Sequence, residues 1–136
     1  MWLMTKARKL DPRTQWGEII VILTNDKQIA TVNEQVFLKT DTTDVIALRY
    51  DPLPEIEEET SAELFINVER AFQCRQRSNW NYSTELALYL AHGCDHLAGA
   101  TDYTNSEQKQ MRRRELRWLR EASAQGLTSH LFIETA

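Results

Sequence analysis

Apolar and polar positions fall into blocks that predict alternating strands and helices. Glu18–Thr24 (EIIVILT) is apolar and β-branched, bounded by Gly17 and by Asn25-Asp26, and is expected as a buried strand. Asn25 with Gln28 three positions on forms a capping-box start. Ile29, Val32, Val36 and Phe37 then recur at helical spacing, so a helix over about 26–38 follows. Lys39–Thr43 is a polar linker and Asp44–Tyr50 (DVIALRY) a second strand. Asp51–Thr60, with two of the three prolines and the acidic run EIEEE, is a loop. Ala62–Val68 predicts a third strand and Glu69–Gln76 a helix, followed by a polar loop at Arg77–Tyr82.

Asn81 or Ser83 caps the next helix, which runs to about Ala98 and stops at Gly99. Leu86, Leu90, Gly93, Cys94 and Leu97 share one face of it. Thr104 with Glu107 makes a second capping box, opening a helix to about Ala124 with Met111, Leu116, Trp118 and Leu119 as apolar contacts. The tail His130–Ile133 is expected as a short strand or an extended packing segment. The order β-α-β-β-α-α-α implies an α+β fold, a small mixed sheet covered by helices, with residues 1–136 as a single domain.

Composition changes this picture little. Apolar residues are 42% and charged residues 26% of the 136, ordinary globular usage. The longest apolar run, Ile19–Leu23, is far short of the about 20 residues a bilayer needs, and no signal peptide is visible, so a cytoplasmic chain without a membrane partner is expected. Cys74 and Cys94 stand in no CxxC spacing. The net charge of −4 argues against indiscriminate nucleic-acid binding. The stretch RRRELRWLR at 112–120 nevertheless leaves a basic face open, along Arg113, Arg117 and Arg120 or simply solvated.

The pair His92 and His96 carries the chemistry. Four residues turn a helix by about 400° and climb about 6 Å, so both imidazoles project from one side, as two ligands of one tetrahedral zinc require. The pair lies well away from the Leu86–Leu90–Leu97 stripe, so core packing explains it poorly. Gly99 lets the chain turn back, and Asp102 then comes within reach of the same side. His92-x3-His96-x2-Gly99-x2-Asp102 thus offers three ligands and an open fourth position, the pattern of a catalytic zinc site. A zinc peptidase would need a glutamate directly after the first histidine, where Gly93 stands, and Asp95 falls on another face.

HGCDHLAGATD resembles the metal motif H-G-x-L-H-L-x-G-Y-D-H of the YbeY family, bacterial single-strand-specific, metal-dependent endoribonucleases of rRNA maturation. Asn33 followed ten residues later by Thr43-Asp44-Val45 is similar to that family's N-x9-TDV segment, and Ala62–Asn67 to its GDI-x-I-S strand. The likeness runs from about Glu18 to Trp118 with matching gaps. It implies a zincin-like site with one zinc (or nickel) on His92, His96 and Asp102. It also implies RNA, in particular rRNA, and the small ribosomal subunit as partners, and no DNA. Two departures bear on activity. Asp102 stands where the family has a third histidine, and Phe37 where it has an arginine that handles phosphate. With Phe37 there, Arg49, two residues beyond Ala47 on the same strand face, is the candidate phosphate cation, and Lys39 a second. The alternative is a non-catalytic RNA- or ribosome-binding descendant that keeps the metal as a structural pin.

Overall fold

The computed structural model describes residues 2–74 and 81–128. Three strands, β1 (Trp16–Thr24), β2 (Val45–Tyr50) and β3 (Thr60–Asn67), form a mixed sheet in the order β1-β3-β2. The pair β1–β3 is parallel and the pair β2–β3 antiparallel. Among the described residues five α-helices accompany it, α1 (Trp2–Ala7), α2 (Asp26–Phe37), α3 (Val68–Cys74), α4 (Tyr82–Leu97) and α5 (Asn105–Ala124), with a 3-10 turn at Arg8–Leu10 after α1. This is the α+β arrangement the patterning predicts, with α1 added. That helix escapes a periodicity reading because six residues are under two turns, yet Leu3, Met4 and Ala7 are buried.

Local signals account for most boundaries. Asn25 accepts from the Gln28 amide at 2.9 Å while the Gln28 side chain accepts from the Asn25 amide at 3.2 Å, completing the capping box. Asn81 caps α4 by accepting from the Thr84 amide, and Gly99 (φ 102°) follows its end. The Thr104 box is half formed. Its hydroxyl accepts from the Glu107 amide, but the Glu107 carboxylate accepts from the Tyr103 amide and from the Thr101 hydroxyl instead. The loop that carries Asp102 is therefore clamped by the first turn of α5.

The reading of β1 as a buried strand is corrected. Among the described residues β1 pairs only with β3, and Ile20, Val21 and Leu23 are 44%, 39% and 55% exposed. Composition alone does not tell a central strand from an edge one. The apolar run still holds β1 in register, with Ile19 opposite Ala62 and Thr24 opposite Asn67. The core lies between the sheet and α4. Val45 is opposite Ile66 and Ala47 opposite Leu64, so these four share the sheet face on which α4 packs. At Gly93 a Cβ would stand 2.8 Å from Leu64 Cδ2 and 3.2 Å from Val45 Cγ2, so only glycine admits so close a contact. The tail His130–Ile133, Trp80 and most of the Arg77–Tyr82 loop lie outside the described residues. No helix among the described residues is long and apolar enough to cross a membrane.

Candidate metal centre

The closeness of α4 to the sheet fixes where its opposite flank points. Helical spacing puts His92 and His96 on that flank, and their Nε2 atoms are 3.0 Å apart. The turn at Gly99 returns the chain, and Asp102 Oδ2 arrives 3.6 Å from His96 Nε2 and 4.0 Å from His92 Nε2. Ligand atoms of all three residues lie within 4.8 Å of one another. An ion at about 2.0–2.1 Å from each ligand, in tetrahedral geometry, sets ligand atoms about 3.3 Å apart. The three spacings bracket that value.

Each imidazole is oriented through its other nitrogen. His92 Nδ1 is 2.9 Å and 3.1 Å from the two carboxylate oxygens of Glu115, and His96 Nδ1 is 3.0 Å from the Ala100 carbonyl oxygen. A carbonyl cannot donate, so Nδ1 of His96 carries the hydrogen, and an ionised Glu115 assigns the same tautomer to His92. Two Nε2 lone pairs then face each other at 3.0 Å, which repels unless a proton or a cation lies between them. Burial works against a charged His92, but hydrogen bonding to Glu115 and its charge outweigh it and raise the imidazole above its ordinary pKa. Protons and a metal ion thus compete for the same nitrogens. Ligand types and outer partners both fit a divalent ion.

Below the histidines the network continues into the α4–α5 seam. Glu115 is 2% exposed and Asp95 is fully buried. Arg114 Nε donates to Asp95 Oδ1 at 2.9 Å, while Asp95 Oδ2 has no hydrogen-bond donor. Burial, together with the neighbouring Glu115 carboxylate and against the pull of Arg114, pushes the Asp95 carboxyl up to about 6. Sequence reasoning missed Glu115. One signal was available: Met111, Glu115, Trp118 and Ala122 form the buried stripe of α5, and a carboxylate on such a stripe needs a partner. Cys94, read as a small buried apolar group, is fully buried, and its thiol is pushed up to about 12 by that burial.

A cleft of about 550 Å³ opens beside the cluster, its wall including Asp44, Arg70, His92, Asp102, Lys109 and Arg112. Arg49 is not on that wall. Its guanidinium pairs with Asp51 at 2.8 Å and Asp11 at 2.9 Å, and donates to Thr14 Oγ1 and to the Leu97 carbonyl, each at 3.0 Å. It ties the Asp11–Thr14 turn to the C-terminal end of α4. Phe37 ends α2, 47% exposed, and also lies off the cleft wall, as does Lys39. Arg113, Arg117 and Arg120 are exposed, whereas Arg114 is spent on Asp95.

Fold and site together define a class: a small α+β protein with a helix-borne pair of histidines and one carboxylate suited to a divalent metal ion. The family model described as Endoribonuclease YbeY matches residues 2–123, and the chain belongs to that family. A relative from Flavobacterium johnsoniae named Endoribonuclease YbeY is 32% identical over 100 residues, covering 73% of this chain and 68% of the relative. One of the same name from Cytophaga hutchinsonii is 28% identical over 114 residues, covering 84% and 76%. In fold, the chain is similar to the solution structure of TM1509 from Thermotoga maritima, with a TM-score of 0.55 at 21% identity over 91% of this chain and 83% of that one.

Proposed function

We propose that this chain is a metal-dependent endoribonuclease that cleaves single-stranded RNA in rRNA maturation, with His92, His96 and Asp102 as ligands of one divalent ion, zinc for preference. The observation that carries the site is the pair of Nε2 atoms 3.0 Å apart, each imidazole having its other nitrogen engaged. The relatives' name supports the reaction class. When bound, the ion supplies Lewis acidity toward a phosphodiester oxygen and toward water. The residues supply the rest. Glu115 and the Ala100 carbonyl hold both rings with Nε2 facing the open side. Asp102, on a side chain 43% exposed, completes the set from the cleft and leaves room for a substrate oxygen. The working place would be the cytoplasm, at or near the small ribosomal subunit.

The second reading, a non-catalytic RNA-binding descendant with a structural metal, is favoured by Phe37, which puts an uncharged ring where the resembled motif has a cation. Elemental analysis of untagged protein, paired with single-turnover cleavage of an unstructured RNA with and without chelator, tests both. The parent is expected to hold about one equivalent of metal and to cleave in a chelator-sensitive way. Asp102→Ala should lose metal, whereas Asp102→His should retain it, since imidazole and carboxylate both suit zinc. Full occupancy with no cleavage, in the parent and in Phe37→Arg alike, would establish the second reading; no metal under any loading condition would end both.

A further inference from the structure

The cations of this chain divide into those already engaged and those left over. Arg49 and Arg114 are consumed by carboxylates within the fold. Arg70, Lys109 and Arg112 are different. All three stand on the wall of the cleft that holds His92 and Asp102, and among the described residues no ion pair or side-chain hydrogen bond occupies them. Arg70 feels the field of Asp26 without pairing with it. Its place is set by the backbone, since its amide donates to Oδ1 of the fully buried Asn67 at 3.0 Å.

Their arrangement has a direction. Asn105, Lys109 and Arg112 are spaced i, i+4, i+7 on α5, so they line one side of the helix, and all three reach the cleft. Asn105 begins α5 three residues after Asp102, and Arg112 stands about 10 Å further along the axis. Polar side chains thus run along α5 beside the metal cluster, between Asp102 before the helix and Glu115 at His92, with Arg70 of α3 on the same cleft wall. The acidic members of the wall have separate places: Glu115 is occupied by His92, Asp44 accepts from the Val45 amide and the Thr43 hydroxyl, and Glu85 sits in the first turn of α4. Glu85 is thus the carboxylate of the α4 wall with no partner assigned to it among the described residues, and it opposes a polyanion there, while Lys109 and Arg112 attract one along α5.

We propose that Lys109 and Arg112 on α5, with Arg70 across the cleft, form a backbone subsite that binds phosphates of a single-stranded RNA flanking the position held at the His92–His96–Asp102 cluster. The proposal rests on the nuclease reading, in that the cluster marks the scissile position. The subsite differs from the Arg113, Arg117 and Arg120 line that the sequence suggested, because that line faces solvent away from the cleft wall.

The test measures binding and needs no catalysis. Anisotropy of a fluorescein-labelled oligouridylate is followed with the full chain in excess chelator, across a salt series. Arg70→Ala, Lys109→Ala and Arg112→Ala should each weaken binding several-fold and flatten the log–log salt slope by about 0.7, the counterion release of one single-strand phosphate contact. Glu85→Gln should tighten binding, a sign that a merely structural role would not produce. Arg113→Ala, Arg117→Ala and Arg120→Ala should change little. Equal losses from those three controls, an unchanged slope in the triple cleft variant, or no salt-sensitive binding by the parent would overturn the subsite. The two readings fail separately. Undiminished metal-dependent cleavage by the triple variant would sink the subsite and spare the nuclease, whereas intact RNA binding in a chain that takes no metal would do the reverse.

Discussion

Helix α4 has two buried sides built on opposite principles. Toward the sheet it is apolar and close: Gly93 meets Leu64 and Val45, and Cys94 and Leu97 join the same buried cluster, with no polar side chain to satisfy. Toward α5 an apolar patch, Ala87 and Leu88 on Leu119 and Leu116, adjoins a row of polar pairs. Asp95 meets Arg114 and His92 meets Glu115, three of the four from residues that are seldom buried. The sheet side holds the helix in place through area removed from water, which tolerates small adjustments of position. The α5 side holds two rings in one tautomer and one direction, which area cannot do. The site is built where the molecule spends stability on polar burial.

The sharpest way to break this contrast is Arg114→Ala. Asp95 is fully buried, and Arg114 is the only hydrogen-bond donor it has among the described side chains. Removing one partner of a buried pair typically costs about 3–5 kcal/mol. Because the Arg114 side chain is 22% exposed, the lower end, about 3 kcal/mol, is expected in chemical denaturation. Asp95→Leu added to Arg114→Ala should recover most of the loss, since it leaves no unpaired buried carboxylate at 95 and frees Glu115 of a neighbouring one. If the single variant unfolds at the parent's midpoint, the seam carries no buried charge that matters.

Glu115 sharpens the contrast at the next level. Glu115→Gln keeps the shape and an acceptor for His92 Nδ1 but removes the charge, and Glu115→Ala removes both. Loss of an outer partner of a metal-bound histidine typically weakens metal affinity about 10–100-fold. Glu115→Ala should fall toward the upper end and Glu115→Gln well short of it, by competition titration against a chromogenic chelator. Indistinguishable affinities for parent and Glu115→Ala would mean that His92 is held by the helix alone.

These polar partners also mark the limit of what the sequence discloses. The strands, the capping box at Asn25, the stop at Gly99 and the shared side of His92 and His96 depend on residues within a few positions of one another, so period and spacing expose them. Asp102 was reachable because Gly99 is the kind of residue that turns a helix end back. Glu115 lies 23 positions from His92, and nothing local connects them. Arg49 is half such a case: Asp51 is two positions away, but Asp11 and Thr14 are 38 and 35 positions away. The same strand-face parity that sets Arg49 beside Ala47 also sets Asp51 beside Arg49, but the second carboxylate, Asp11, comes from a distant turn. The buried reading of β1 failed for a related reason, since whether a strand is central or at an edge is a property of its neighbours.

The smallest effect belongs to the apolar side. Gly93→Ala adds one methyl group at 2.8 Å from Leu64 Cδ2 and 3.2 Å from Val45 Cγ2. Both neighbours are side-chain methyls in a fully or nearly fully buried position, Leu64 at 0% and Val45 at 9% exposure, so the Leu64 methyl must shift within the core while Val45 gives by a few tenths of an ångström. Overpacking of this size costs about 1–2 kcal/mol, offset in part by alanine's better helix propensity. Stability should therefore fall by about 1 kcal/mol, while metal affinity stays within a few-fold of the parent, because Glu115 and Ala100 orient the rings independently of the sheet contact. A large drop in metal affinity with little change in stability would reverse the assignment. It would mean that the sheet contact aims the histidines and the polar seam merely fills space.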